Sequence, residues 1–339
     1  MPESYFQLSA RDQAAALAAG AAAFGRPPHL LEKDIWVVWS LSTLFESELG
    51  AHLVFKGGTA LSKAYKVIHR FSEDVDLTYD IRALAPDLVA GSPQGIDAIP
   101  TSRSQTKRWS DLIRNELLPA WIKDHAQPIV QAGLEKLGLG TCRITEDCIF
   151  IDYPPETAVS GYALPRVKLE FGARSSGEPS TILPVRCDLE EFLPELEFPS
   201  ANLRVMNVSR IFWEKATAAH VYCLQAGEGL SERFSRHFHD LARLDDGGYL
   251  ASAIQAKGVA EAVAVHKNAF FVEKDSEGQR IDYLDAIRTG LKLVPAGSAY
   301  DALREDYQRM VADGLLLDDT ETFEDLMAHC LVIQQQMSK

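Results

Sequence analysis

Two carboxylates, Asp74 and Asp76, stand two positions apart in the run Asp-Val-Asp-Leu-Thr-Tyr (74–79), shortly after Lys56-Gly57-Gly58-Thr59. Side chains on an extended strand alternate with a period of two, so both aspartates share one face while Val75 and Leu77 point into the core. Like charges placed this way repel each other unless a cation lies between them. A hard divalent cation such as Mg²⁺ suits the pair, because it takes oxygen ligands and bridges carboxylates to phosphates. The glycines supply the complementary feature. They let the backbone approach a phosphate closely, and amides at a helix N-terminus favour negative charge. This spacing predicts a triphosphate resting on Gly57, Gly58 and Thr59 with its metal on the aspartates. Lys56 lies beside the glycines, where a phosphate would be in reach. Ser72 shares the strand face of Asp74, and phosphorylation there would crowd the metal site with negative charge.

Two-metal transfer chemistry asks for a third acidic ligand. Glu170, in Val-Lys-Leu-Glu-Phe-Gly, is the candidate, since a strand presents it opposite Leu169 and Phe171. Its plain alternative is a surface glutamate on an edge strand, and Asp152 is the reserve. Further along, Lys215 has Ile211, Phe212, Ala218, Ala219 and Tyr222 at helical spacing, so it interrupts an apolar face. An unpaired ammonium there is costly. A triphosphate or Asp240 would compensate it, and snorkelling to the rim is the bland reading. Asp240 has Arg236 and His237 one turn before it and Arg243 one turn after, which also suits a surface ion pair. No Ser/His/Asp triad or HExxH motif competes for the chemistry, and His220 and His237 read as packed or surface histidines.

The elements that must position these residues follow from patterning. Residues from Ser9 to Leu49 read as two helices, with Leu31, Ile35, Val38 and Leu41 at helical spacing in the second. A short strand at 52–55 leads through the glycine turn into a helix capped by Thr59 and continuing to Ile68. A Pro/Gly/Ser-rich loop (85–102) and a long helical stretch (105–139) come next. Strands follow in Cys-Arg-Ile-Thr-Glu-Asp-Cys-Ile-Phe-Ile-Asp-Tyr, Pro-Arg-Val-Lys-Leu-Glu-Phe-Gly-Ala and Thr-Ile-Leu-Pro-Val-Arg-Cys. From Ser209 onward the pattern is almost wholly helical. The expected organisation is α+β, with one domain over 1–200 and a helical one over 201–339.

Composition bounds the function. The 339 residues are 46% hydrophobic with mean hydropathy −0.10, an ordinary globular balance. No stretch approaches a membrane span, and the start lacks the basic and apolar regions of a secretory signal. Five scattered cysteines without a CxxC pair fit a reducing cytoplasm. Net charge is −14, which argues against broad coating of nucleic acid. Nine acidic and three basic residues between Asp301 and Lys339 supply part of that excess and read as a solvated helical face. Arg166, Arg174, Arg204, Arg210, Arg233 and Arg236 are the candidates for a local basic groove.

The motif Phe-Lys-Gly-Gly-Thr-Ala-Leu-Ser-Lys-Ala-Tyr, followed by Arg70-x-Ser72-x-Asp74-x-Asp76-Leu77, resembles the AbiEii/AbiGii-type, MenT-like nucleotidyltransferase toxins of type IV toxin–antitoxin systems. Leu-Glu-Lys-Asp-Ile-Trp (31–36) resembles the family's Glu-Lys-Asp helix, and Glu214-Lys215 its Glu-Lys pair. Arg236-x-x-x-Asp240-Leu241 matches an Arg-x-x-x-Asp-Leu helix, and Asp306-Tyr307-x-x-Met310 a C-terminal one. Correspondence is poorest between about 85 and 145. The resemblance implies a polymerase-β-like nucleotidyltransferase domain with a helical C-terminal domain. It also implies Mg²⁺, a nucleoside triphosphate, an acceptor such as the tRNA 3′ end, and a cognate antitoxin. Asp74, Asp76 and Glu170 would hold metal; Lys56, Gly57, Gly58, Thr59, Ser72 and Lys215 would hold nucleotide; Asp240 would orient Lys215 or touch the nucleotide. A transferase acting on a small molecule or a protein, and a non-catalytic nucleotide-sensing module, are the competing readings.

Overall fold

The computed structural model describes the chain except residues 1, 71–73, 94, 158–163, 226–232, 317–320 and 339. Ser72 lies outside the described residues. Two units emerge: the first comprises 1–64, 71–86 and 111–205, and the second 65–70, 87–110 and 206–339. A single cut near residue 200 does not capture the two earlier segments, 65–70 and 87–110, that group with the second unit.

Among the described residues, the strands are β1 (Glu3–Ser4), β2 (Leu53–Lys56), β3 (Asp74–Tyr79), β4 (Arg143–Ile144), β5 (Cys148–Asp152), β6 (Arg166–Gly172), β7 (Ser180–Arg186), β8 (Leu196–Glu197) and β9 (Ser200–Met206). β1 and β8 form a small parallel pair, and the other seven make one mixed sheet in the order β4-β5-β6-β3-β2-β9-β7. β3 is central, antiparallel to β2 and parallel to β6. Its alternation works as expected, with Val75 and Leu77 buried and Asp74 and Asp76 half-buried. β6 repeats the pattern, burying Val167, Leu169 and Phe171 and leaving Lys168 and Glu170 half-buried. The α+β architecture anticipated from patterning is the one observed. Strand β9 was not among the expected strands; its alternation is masked by the neighbouring Pro/Glu-rich run.

Helices α1 (Ala10–Phe24) and α2 (Pro28–Phe45) open the chain, with the Ser9 hydroxyl oxygen accepting from the Asp12 amide as an N-cap. Helix α3 (Gly57–Lys63) differs from expectation at both ends. It starts at Gly57 with Lys56 as the capping position, so Thr59 sits inside the first turn, and it stops at Lys63 rather than continuing to Ile68. A positive φ of 52° at Lys66 lies beyond that end and is incompatible with helix. The predicted helical stretch at 105–139 runs from Arg103 to Lys136 with wider π-type turns at Ile113–Leu117 and Ile122–Ala126. Pro119 and Pro128 follow those turns closely, where a missing N–H and the ring's clash disturb regular winding.

A buried ionic network fixes α3. Lys63 Nζ lies 2.5 Å from Asp34 Oδ1 of α2 and 2.6 Å from Asp188 Oδ1, and the Asp188 amide donates to Asp34 Oδ2 at 2.8 Å. Arg26 also pairs with Asp188. The neighbouring Glu32 accepts from the Glu156 amide and the Thr157 hydroxyl, and Lys33 donates to the Leu164 carbonyl. The Glu-Lys-Asp helix is therefore a clamp on the segments around the site. Asp34→Ala is expected to cost about 1–3 kcal/mol, because it strips the Asp188 amide of its acceptor while Lys63 keeps Asp188. Urea denaturation against wild type measures it, and an unchanged midpoint would refute the clamp.

The second unit is helical, including Val208–Leu224, Ser235–Asp246, Lys257–Phe270, Ser298–Ala312 and Phe323–Met337. Asn207 caps the first of these through the Ser209 amide. No described helix is long and apolar enough to cross a membrane.

Candidate active site

The carboxylate face in the first unit is set by strand register. Asp76 is opposite Lys56 on β2 and opposite Glu170 on β6, while Asp74 is opposite Lys168. Residues paired in register project to the same side of a sheet. Lys56, Asp74, Asp76, Lys168 and Glu170 thus share one polar surface over a buried apolar layer. β6 lies between β5 and β3, so the edge-strand reading of Glu170 is excluded.

The glycine turn is fitted to Asp76. Gly57 has φ +75°, a conformation that favours glycine, and a Cβ there would come within 2.1 Å of Asp76 Oδ2 and 2.8 Å of its carboxyl carbon. The carboxylate therefore lies directly over the Gly57 Cα. Thr59 is buried and its hydroxyl donates to the backbone carbonyl of Asp74, tying the first turn of α3 to the strand. That bond occupies the Thr59 hydroxyl, which leaves its backbone amide as what it offers a phosphate. First-turn amides lack intrahelical acceptors.

Glu170 is engaged elsewhere than on the aspartates: Lys168 Nζ lies 2.6 Å from Glu170 Oε2. Burial lowers the pKa of Lys168, but its bond to Glu170 and the charges of Glu170 and Asp74 raise it overall. Among the described residues, no group of three or more His, Cys, Asp or Glu side chains is disposed to hold a metal ion. The Asp74–Asp76 pair alone fits a hard cation, since Mg²⁺ commonly takes one or two carboxylates and fills its other positions with water and substrate phosphate. Asp152, the reserve, is spent on Arg166 and Arg143 at the sheet margin. Sequence reading overlooked Lys168. The signal was present as Lys-x-Glu on one strand face.

In the second unit Lys215 and Asp240 meet as predicted, with Nζ 2.7 Å from Oδ2. Asp240 is fully buried, which excludes the surface ion pair. Its arginine partner is Arg70 rather than Arg236 or Arg243: Arg70 Nε donates to Oδ1 at 2.6 Å and Nη2 to Oδ2 at 2.8 Å, with His239 Nδ1 3.5 Å from Oδ1. Arg243 pairs instead with Asp246 and Glu321. Burial would raise the Asp240 pKa, but the Arg70 and Lys215 charges hold it well below the ordinary carboxylate range. Burial lowers the pKa of Lys215 despite Asp240, with Arg70 and Arg236 adding to the fall. The Arg-x-Ser-x-Asp motif thus contributes its arginine to this buried cluster, a role the sequence reading had not assigned.

Asp306 positions the helix that carries Asp240. Its carboxylate accepts from the amides of Arg233 and Ser235, both at 2.7 Å, at the start of Ser235–Asp246. Tyr307, beside it, donates to the Glu321 carbonyl. Asp306→Ala is expected to cost about 1–2 kcal/mol, the loss of a helix cap. Thermal melting would read it, and an unaltered melting temperature would count against the cap. His220 Nδ1 accepts from the Lys292 amide, and burial pushes its pKa down to about 4, so it is a packed structural histidine. Burial, then the Lys215 charge, takes His237 well below its ordinary value.

Three of the six candidate groove arginines are committed to acids. Arg210 is buried against Asp97 and Glu214, Arg166 is tied to Asp152, and Arg204 to Glu178.

Comparison with known proteins bears on this arrangement. No curated protein matches the sequence. Among solved structures, MenT4, a nucleotidyltransferase toxin from Mycobacterium tuberculosis H37Rv, is similar at 15% identity and a TM-score of 0.38, covering 95% of this chain and 99% of that one. The family described as nucleotidyl transferase AbiEii toxin, type IV toxin–antitoxin system, matches residues 39–329. That span includes the glycine turn, both aspartates, Glu170, Lys215 and Asp240. Through it, this chain belongs to the AbiEii nucleotidyl transferase toxin family of type IV toxin–antitoxin systems.

Proposed function

We propose that the protein is a Mg²⁺-dependent toxin that transfers a nucleoside monophosphate from a nucleoside triphosphate to an acceptor hydroxyl, releasing pyrophosphate. The acceptor is RNA, at the tRNA 3′ end, and its modification blocks translation. The observation carrying this reading is the fit of Gly57 beneath Asp76, which sets a phosphate-approachable backbone against a pair of hard oxygen ligands. The bound metal would supply charge neutralisation and orientation of the triphosphate. Asp74 and Asp76 would hold the cation, joined by Glu170. Lys56 and the backbone of Gly57, Gly58 and Thr59 receive the triphosphate. Ser72 belongs to the same proposal from its sequence position. Lys215 contributes positive charge to the nucleotide, oriented by Asp240. Catalysis then rests on positioning and electrostatics, with no covalent enzyme intermediate.

A cytoplasmic protein acting in phage defence, restrained by a cognate antitoxin, fits this chemistry. The test is incubation with labelled nucleoside triphosphates, Mg²⁺ and total RNA. Label on tRNA that vanishes on chelation of Mg²⁺ supports the proposal. Label on a small molecule or on protein overturns the RNA acceptor, and nucleotide binding without turnover overturns the transfer.

A further inference from the structure

We propose that Lys168 is the resident counter-ion of the carboxylate face. It holds Glu170 away from the Asp74–Asp76 pair and competes with a divalent cation for those acids. This inference rests on the metal assignment above and deepens it.

The strand register carries the argument. Lys168 stands opposite Asp74, and Glu170 opposite Asp76, on the parallel neighbour β6. Three carboxylates on adjoining strands are unfavourable without a cation among them. Among the described residues, register sets Lys56 and Lys168 directly opposite the two aspartates, while Arg166, two positions before Lys168 on the same face, is tied to Asp152. Lys168 is committed to one of the acids, with its ammonium 2.6 Å from Glu170 Oε2. The pair is two residues apart on one strand and only partly exposed, at 33% for Lys168 and 41% for Glu170. Among the described residues, no three acids are disposed to bind a metal ion while that pair holds.

An ammonium and a metal ion cannot both neutralise the same carboxylates without repelling each other. Lys168 therefore lowers the affinity of the nucleotide-free protein for a divalent cation. It also completes the acidic set only when it releases Glu170. A triphosphate provides the reason to release, because its oxygens offer the ammonium a replacement anion. Metal and nucleotide then load together, and the empty protein stays metal-poor.

The experiment titrates Mn²⁺ alone into nucleotide-free protein and reads free Mn²⁺ by electron paramagnetic resonance. The variants are Lys168→Met, Lys168→Arg, Asp76→Asn and the double variant Lys168→Met with Glu170→Gln. Lys168→Met is expected to bind Mn²⁺ roughly three- to tenfold more tightly, the scale of a partly exposed charge pair. Lys168→Arg should stay near wild type, and the double variant should lose the gain. Lys168→Gln replaces Lys168→Met if circular dichroism shows the methionine variant misfolded. Unchanged or weaker Mn²⁺ binding in the neutral variant overturns the role of Lys168. If that happens while Asp76→Asn abolishes binding, the metal assignment stands and only Lys168 is misread. Binding that ignores Asp76→Asn overturns both.

Discussion

Asp76→Ala is expected to keep the fold and lose about a thousandfold or more in the rate of label transfer, the several kcal/mol that metal-assisted charge stabilisation supplies. Asp76 is half-buried at the polar face of β3, so its removal leaves no large cavity in the apolar layer. Gly57→Ala should approach the same loss by the opposite route. Its new Cβ meets Asp76 Oδ2 at 2.1 Å, and the residue must also hold φ +75°. The carboxylate swings aside, the turn is strained by about 1–3 kcal/mol, and the rate falls by about a hundredfold even though every proposed ligand is still present. The two variants separate chemistry from placement: single-turnover transfer falls in both, while only Gly57→Ala lowers the unfolding midpoint. A Gly57→Ala protein with wild-type transfer would refute the fit of the turn to Asp76.

Asp240→Asn is expected to destabilise the protein by about 3–5 kcal/mol, the penalty for leaving buried cations without their counter-charge. Asp240 is fully buried, and Arg70 and Lys215 are both nearly so. Asparagine keeps the shape of the side chain but cannot balance two cations. The effect has a definite pH dependence. The folded pKa of Asp240 is depressed, so its contribution is complete above the unfolded carboxylate pKa and lost as pH falls through the folded value. The stability gap between wild type and Asp240→Asn should be constant at neutral pH and narrow only below the ordinary carboxylate range. Lys215 acts in the other sense. Its folded pKa is lowered, so the unfolded chain binds the extra proton, and stability rises with pH between the folded and unfolded lysine values. Urea titrations across pH test both signs. A gap of less than about 1 kcal/mol at neutral pH would mean that the cluster is solvated after all.

The sequence by itself determined the local half of this protein. The period-two alternation of Asp74-Val75-Asp76-Leu77 set which side of β3 is acidic, because a strand has no other way to bury Val75 and Leu77. The same logic placed Glu170 on the face opposite Leu169 and Phe171, and helical spacing placed Lys215 on a buried face. Family motifs then pointed to a nucleotidyltransferase toxin family, and the match over residues 39–329 bears that out.

Only the tertiary structure decided who pairs with whom. That Asp34 reaches Lys63 and Arg70 reaches Asp240 depends on contacts between residues far apart in the chain. Neither propensity nor periodicity encodes such contacts. The early end of α3 is of the same kind: 65–70 belongs with the second unit, and that docking overrides a sequence that reads as continuous helix. Desolvation is the underlying physical reason. A buried charge must find a partner wherever the fold provides one, and the sequence reveals the charge but not the partner.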